Sequence, residues 1–295
     1  MTETPLRRAL AGNLTFSALC GLALVIDGPG IAAAIGALPG WVITGLGFGL
    51  LGFALAIGLV LAHLRVGWAL AITALDALWV VATLPLIAVP DLLTAQGKAV
   101  VASVAAVVAL FGFLQARGIR LRLASGAEDG TYRHCVRLTT EAEPATLWAA
   151  IRDLGGIARY SDTLASSKLL DGAVPGPGAV RQCTNRQGQS WREEVISLDD
   201  GARQMALRFR TEAPDFPFPF AQMVGGWSVS GATGGGANVE IWWTIRPARR
   251  FGWLVLALMT LPLDRDIRRL VAAMSDGKAA RPGRPVGPLP ALSAC

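Results

Sequence analysis

Residues 67–89, GWALAITALDALWVVATLPLIAV, form one long apolar run with a single charged side chain, Asp76. A helix of about 20 apolar residues is long enough to cross the ~30 Å hydrocarbon core of a bilayer. A helix on the surface of a soluble protein normally keeps a polar face, and this segment lacks one. The segment therefore predicts a membrane-spanning helix.

Three further apolar runs, at 9–26, 41–62 and 99–116, are also long enough to span a bilayer. The breaks at 27–40 and 90–98 contain Gly, Pro and Asp, which favour turns. Residues 28–40 are uncharged but too short to span, so we expect a loop or a short interfacial turn there. The sequence thus predicts an α-helical four-span membrane bundle over residues 1–122.

The basic residues near the ends of these runs alternate between the two sides of the predicted bundle. Lys and Arg collect before the first run, between the second and third, and after the fourth, as Arg7, Arg8, Arg65, Arg117, Arg120 and Arg122. The loop between the first two runs has no Lys or Arg, and the loop between the last two has only Lys98. Because cytoplasmic loops carry the excess of Lys and Arg, the pattern predicts a multi-pass protein of the cell membrane with both termini in the cytoplasm.

Asp76 is the only charged residue within the four runs. An ionised carboxylate in the middle of a bilayer costs about 2.5–3.5 kcal/mol on insertion scales, so Asp76 should face the interior of the bundle. Two roles are open: a proton or ligand site, or a structural hydrogen bond to a neighbouring helix. The second is favoured, because no other charged residue is present within the runs to form a relay.

A GxxxG pattern at 45–49 also predicts a close approach of two helices.

The balance of charges in residues 123–277 argues against nucleic acid as a partner. The whole chain is 53% apolar and 16% charged, with a net charge of +6, whereas soluble proteins are about 25% charged. Residues 123–277 nevertheless carry 17 basic and 17 acidic residues. This part is neutral and lacks the basic surface of a nucleic-acid-binding protein.

The four cysteines are far apart and only two histidines are present, so we expect neither a metal site nor a cofactor.

The periodicity changes after a polar connector at 123–131. Residues 132–277 predict a strand, two short helices, six further strands and a long last helix over about 251–274, with Gly- and Pro-rich turns between the strands. Residues 278–295 are rich in Pro and Gly and predict a disordered tail.

The order of these elements, and several stretches within them, resemble the START/birch-pollen-allergen-like (SRPBCC, or helix-grip) superfamily. The likeness is strongest to its polyketide cyclase/dehydrase and lipid-transport branch and covers about residues 132–275. It is carried by residues 178–181 (GAVR), 188–195 (GQSWREEV), 198–200 (LDD), 208–209 (RF), 239–246 and 264–270 (DRDIRRL). The resemblance implies an α+β domain in which a curved seven-stranded antiparallel sheet surrounds the long C-terminal helix and encloses an apolar cavity.

Alternation along the strands selects the residues that would line this cavity. Side chains two positions apart share a face of a strand, and a face made of large apolar residues must be covered. The candidate ligand-binding residues on the strands are Trp191, Glu193, Val195, Leu207, Phe209, Met223, Trp227, Ile241 and Trp243, and Tyr160, in the short helix predicted at 156–160, is a further polar candidate. The same side chains could instead form a solid core.

Glu193 is the polar exception on its strand. If Trp191 and Val195 point inward, Glu193 does too, and a buried carboxylate needs a partner. The opposite register, with Arg192 and Ile196 inward, groups fewer large apolar residues and is less favoured. Glu193 and Tyr160 are therefore the candidate acid–base residues if the protein is an enzyme.

Two other stretches, 216–220 and 251–263, are more apolar than a soluble domain needs. They predict either contact with the chain's own membrane bundle or a portal through which an apolar ligand enters from the bilayer.

Three functions are compatible with this sequence. The first is a membrane-tethered cytoplasmic binder or carrier of a hydrophobic small molecule such as a lipid, isoprenoid, quinone or polyketide-like compound. The second is a cyclase or dehydratase that acts on a polyketide-like ligand, although an acid–base pair is poorly represented. The third is a sensor whose ligand occupancy acts on a membrane-protein partner.

Overall fold

The computed structural model describes residues 3–124, 130–277 and 280–283 of the 295-residue chain. The chain divides into two compact units, one from Met1 to Arg122 and the other from Leu123 to Cys295. Much of the predicted connector, residues 125–129, lies outside the described residues, as do positions 278–279 and 284–295 of the predicted tail.

The described part of the first unit is helical. Its helices are α1 (Glu3–Ile26), α2 (Gly28–Ile35), α3 (Gly40–Ala62), α4 (Val66–Ala88) and α5 (Ala95–Leu123). All except α2 are long and apolar enough to cross a membrane, which confirms the four predicted apolar helices. Helix α5 continues past the predicted end of its apolar run at Ala116. The continuation is rich in Arg and Leu, which are good helix formers.

Residues 28–35 form a helix where a loop or turn was predicted. The local sequence explains the difference, because Asp27 is its N-cap and accepts a hydrogen bond from the backbone N–H of Gly30 at 3.1 Å. Pro29 lies in the first turn, where its missing N–H costs nothing.

Helices α1 and α3 pack closely through glycines, but not through the predicted GxxxG pair. A Cβ added at Gly47 would lie 2.9 Å from the carbonyl oxygen of Gly21. Gly45 and Gly49, the two glycines of the motif, would meet nothing within 4 Å. The close contact is therefore made by Gly47, which lies between the two glycines of the motif, because the face that α3 turns toward α1 is the one that carries Gly47.

The second unit contains an antiparallel sheet. Its strands are β1 (Tyr132–Thr140), β2 (Leu164–Leu169), β3 (Val180–Asn185), β4 (Ser190–Asp199), β5 (Gln204–Phe209), β6 (Phe220–Gly231), β7 (Ala237–Pro247) and β8 (Arg281–Pro282). They are ordered β2-β3-β4-β5-β6-β7-β1-β8. The helix-grip fold class is confirmed, with one strand more than predicted.

The additional strand β8 comes from residues that were predicted to belong to a disordered tail. It pairs with Leu138 and Thr139 at the free edge of β1, and the backbone N–H of Gly283 donates to the carbonyl oxygen of Arg137 at 2.9 Å. Pro282 is compatible with this position because an edge strand need not donate from every residue. The otherwise unpaired edge of β1 therefore pairs with residues 281–282, although their sequence shows no apolar alternation.

Two α-helices lie on one face of the sheet. Helix α6 (Pro144–Arg152) is followed by a short 3₁₀ helix, Ile157–Tyr160, and the chain returns at α7 (Gly252–Met274). The main hydrophobic core lies between this face of the sheet, α6 and the C-terminal half of α7. Asp200, in the turn between β4 and β5, fixes α6 by accepting a hydrogen bond from the indole Nε1 of Trp148 at 3.0 Å.

Candidate functional site

Strand β4 turns the predicted face toward the interior. Glu193 and Val195 are 3% and 1% exposed, whereas Arg192 and Ile196 are exposed. Trp191 shares the inward face and is half-buried. The register that groups the larger apolar residues is thus the one adopted, and it brings a carboxylate into the interior.

The ten candidate ligand-binding residues divide between the main hydrophobic core and a separate part of the inward face. Four of the ten, Val195, Leu207, Trp227 and Ile241, belong to the main core, and Tyr160 and Trp243 pack against it. Core contacts therefore account for the burial of the first four. Phe209 and Met223 are buried outside that cluster, and Phe209 pairs directly with Glu193. The part of the face around Trp191, Glu193, Phe209 and Met223 is left as the candidate ligand site.

Glu193 accepts hydrogen bonds from two side chains. Arg181, directly opposite on β3, donates from Nε at 2.9 Å and from Nη2 at 2.6 Å, both to Oε2 of Glu193. The indole Nε1 of Trp191 donates to Oε1 at 2.6 Å. Arg181 was not predicted. No local signal in β3 distinguishes an inward arginine, and its partner lies on another strand.

One nitrogen of the Arg181 guanidinium is not used as a hydrogen-bond donor. The side chain is almost fully buried, and its Nη1 has no hydrogen-bond partner among the described residues. Burial disfavours the charged guanidinium, but the carboxylate of Glu193 outweighs this and holds the pKa of Arg181 above its usual value. The pair is electrically neutral as a whole, and the free Nη1 would suit a neutral oxygen acceptor.

Cys183 lies next to this pair on the inward face of β3. It pairs with Trp191, is 1% exposed, and its Sγ lies 3.7 Å from Oγ of Ser167. Burial, followed by the nearby charge of Glu193, raises the pKa of the Cys183 thiol from 9.0 to about 12. The thiol is therefore a neutral, structural group at physiological pH.

We predict that iodoacetamide alkylates Cys183 at least about 100-fold more slowly in the native chain than in the denatured chain, because the reactive species is the thiolate. The unfolded thiol ionises near pH 9.0 and the folded one near 12. The folded state thus holds the proton more tightly, and its stability falls as pH rises through that window. Peptide mass spectrometry measures the alkylation, and equal rates in the two states would contradict the burial of this thiol.

The aromatic segment at 216–220 packs on the same site instead of projecting outward. The ring centroid of Phe218 lies 5.8 Å from that of Trp191, 5.5 Å from that of Phe216 and 6.3 Å from that of Phe220. Phe220 is only 3% exposed, and the other two phenylalanines are half-buried. The segment therefore packs against Trp191, whose indole donates to Glu193.

A second polar pair on the inward face was not predicted. The Nε2 of His134, on β1, lies 2.8 Å from Oδ1 of Asp264 on α7, and the imidazole stacks on Trp243 with ring centroids 6.2 Å apart. His134 is one of two histidines in the chain. It lies on the same face of β1 as Tyr132, Val136 and Leu138, so the alternation in the sequence already indicates that it points inward. Its contact with Asp264 depends on how α7 docks, which no local pattern reveals.

Tyr160, the other candidate acid–base residue, does not join Glu193. Glu193 accepts its hydrogen bonds from Arg181 and Trp191, and the Tyr160 ring instead lies 5.1 Å from the Arg159 guanidinium. Among the described residues, no group of three or more His, Cys, Asp and Glu side chains is placed to hold a metal ion.

In the first unit, Asp76 is buried within a network of side chains from three helices. Its Oδ2 accepts hydrogen bonds from the amides of Asn13 at 2.8 Å and Gln115 at 2.9 Å. Thr73 donates to Oε1 of Gln115 at 3.0 Å, and Ser17 donates to Oδ1 of Asn13 at 3.1 Å. Asp76 therefore makes the interhelical hydrogen bonds that the sequence favoured.

Comparison with solved structures finds chains that are similar to about half of this one. Similar solved structures include a putative uncharacterized protein from Bacillus thuringiensis (18% identity, TM-score 0.42, covering 48% of this chain and 98% of that chain). Ara h 8.0201 is 14% identical with a TM-score of 0.41, covering 50% of this chain and 97% of that chain. The protein XoxI from Bacillus cereus is 18% identical with a TM-score of 0.39, covering 50% and 94%.

No curated protein sequence matches the chain. The family model described as polyketide cyclase/dehydrase and lipid transport matches residues 133–276, which contain β2 to β7, nearly all of β1, α6 and α7. Residues 133–276 are therefore similar to polyketide cyclase/dehydrase and lipid-transport domains, and this chain joins them to four apolar helices.

Proposed function

We propose that the second unit binds a hydrophobic small molecule with a neutral oxygen, on the inward face around Trp191, Glu193, Phe209 and Met223. The unused Nη1 donor of the buried Arg181 is the observation that carries this proposal. A buried donor without an acceptor is costly, and a ligand carbonyl or hydroxyl would supply the acceptor. Because Glu193 already neutralises Arg181, an anionic ligand would add an uncompensated charge to the interior.

The proposed ligand is apolar because most groups around the polar pair are. Phe209 is 8% exposed and Met223 is 7% exposed, and the ring of Phe218 packs against Trp191. Apolar walls with a few polar groups are typical of small-molecule sites. Lipids, isoprenoids, quinones and polyketide-like compounds all meet this description.

The four apolar helices would hold this domain at a membrane, with both termini in the cytoplasm as the basic residues predict. Phe251 and Leu258, at the start of α7, are each 65% exposed. Large exposed apolar side chains at the start of this helix support transfer of an apolar ligand between bilayer and domain without passage through bulk water.

A photoreactive apolar ketone tests the site directly. Alkyl-benzophenone, added to the full chain in phosphatidylcholine vesicles, should label peptides of β4, β5 and β6. Met223→Trp would fill the inward face and lower this labelling about tenfold. Val224→Trp, on the opposite face of the same strand, is the matched control and should leave it unchanged.

Equal labelling of the two variants would contradict the proposed site. Labelling confined to the first unit would contradict it as well, since the benzophenone would then have found only the membrane helices.

The His134–Asp264 pair favours a second candidate function, the cyclase or dehydratase. With Nε2–H donating to Asp264, Nδ1 of His134 is left as an acceptor that could remove a proton from a bound ligand. His134→Gln should then abolish conversion of a bound polyketide-like compound while benzophenone labelling continues. Unaltered recovery of such compounds from the wild-type chain would leave carriage as the function.

A further inference from the structure

We propose that the first unit contains a separate binding site for an apolar molecule that ends in a hydroxyl group. The site is a cavity of about 400 Å³ between α1, α3, α4 and α5. Its walls are mainly apolar and include Phe16, Leu50 and Val108. The volume lies within the range of small-molecule pockets, about 300–1,000 Å³.

Two polar groups in the wall have unused hydrogen-bonding capacity. Asp76 lines the cavity, and both amides that bind it donate to Oδ2, so Oδ1 accepts no hydrogen bond among the described residues. Trp79 lines the same cavity, and its buried indole Nε1 has no partner in the described chain. These residues are three positions apart on α4 and so lie on one side of the helix.

The combination of one free acceptor and one free donor defines the chemistry of the ligand. A hydroxyl group can donate to Oδ1 of Asp76 and accept from Nε1 of Trp79 at the same time. A protonated amine would satisfy Asp76 but has no lone pair to accept from the indole, which would stay unpaired. A carboxylate would accept from Trp79 and be repelled by Asp76. A long-chain or isoprenoid alcohol, or a phenol, therefore fits both groups.

The cavity is reached from the side of the helical unit. Leu75 and Leu78 line it and are 50% and 62% exposed, so its rim continues into the outer surface of α4. Few residues of α3 and α4 contact each other. If these helices span a bilayer, an alcohol dissolved in the lipid can enter between them.

Gly49 offers a way to fill the cavity without disturbing the polar network. It lines the cavity, and a Cβ added there would meet nothing within 4 Å. Gly52, one turn further along α3, also faces open space but does not line the cavity. Gly49→Leu and Gly52→Leu are therefore a matched pair that differ only in whether the new side chain occupies the site.

The experiment uses the full chain in phosphatidylcholine vesicles with a diazirine-bearing long-chain alcohol, its methyl ether and the corresponding amine. We expect the alcohol to label α1, α3 and α4 more strongly than either analogue. Gly49→Leu should lower alcohol labelling about tenfold and Trp79→Phe at least about threefold, corresponding to one lost hydrogen bond. Gly52→Leu should match the wild type.

Equal labelling of Gly49→Leu and Gly52→Leu would overturn the proposal, because ordinary lipid contact would then explain the signal. Stronger labelling by the amine, unaffected by Trp79→Phe, would also overturn it in favour of a cation site. Neither result would bear on benzophenone labelling of the second unit, so the two sites are tested independently.

Discussion

Replacing Glu193 with alanine is expected to destabilise the second unit by about 3–5 kcal/mol, the usual cost of removing one partner of a buried ion pair. The change leaves the guanidinium of Arg181 as an uncompensated charge, in a side chain that is 5% exposed. It also removes the acceptor of the Trp191 indole. The loss thus combines a buried charge with a second unsatisfied donor.

Hydrogen exchange of β3 and β4 peptides, measured by mass spectrometry on the full chain, tests this expectation. Glu194→Ala is the control, because Glu194 is the next residue on the strand and its partners Arg208 and Arg210 lie at the surface. It should change exchange very little, since solvent-exposed ion pairs contribute little to stability. The double variant Glu193→Leu with Arg181→Met should recover most of the protection. If Glu193→Ala exchanges no faster than Glu194→Ala, the buried pair does not support the sheet.

Replacing Gly47 with leucine is expected to push α1 and α3 apart and to destabilise the first unit by about 1–3 kcal/mol or more. A Cβ at this position would lie 2.9 Å from the carbonyl oxygen of Gly21. That atom belongs to the backbone and cannot move aside as a side chain would. The new leucine can fit only if the helices separate.

Gly45→Leu is the matched control, because Gly45 lies on the same helix and faces open space. The measurement is the temperature at which the full chain, in detergent, loses its monodisperse peak in size-exclusion chromatography. We expect a clear fall for Gly47→Leu and no change for Gly45→Leu. A fall for Gly45→Leu alone would show that the GxxxG glycines, and not Gly47, form the helix contact.

Signals that are local in sequence predicted most of the fold. The four apolar helices follow from run length, and the inward direction of Glu193 follows from the alternation of Trp191, Glu193 and Val195. Each depends on a single segment and on a period fixed by its geometry. The likeness to a known superfamily then implied a curved antiparallel sheet around the C-terminal helix, an arrangement that no single segment contains.

The features that were missed depend on contacts between segments. Arg181 meets Glu193 only because β3 and β4 pair in one register, and His134 meets Asp264 only because α7 lies across β1. Strand β8 forms because the edge of β1 is open, not because residues 281–282 favour a strand. The division of the candidate residues between core and site likewise depends on where α6 and α7 cover the sheet.

The central claim is that the inward face near Arg181 binds a neutral apolar ligand. Native mass spectrometry of the full chain, released from its own membrane in the Gly49→Leu background, tests it most directly. The account predicts one additional small apolar mass per chain, lost in Met223→Trp and kept in Val224→Trp. A chain that carries no added mass, or one whose added mass survives Met223→Trp, would contradict it.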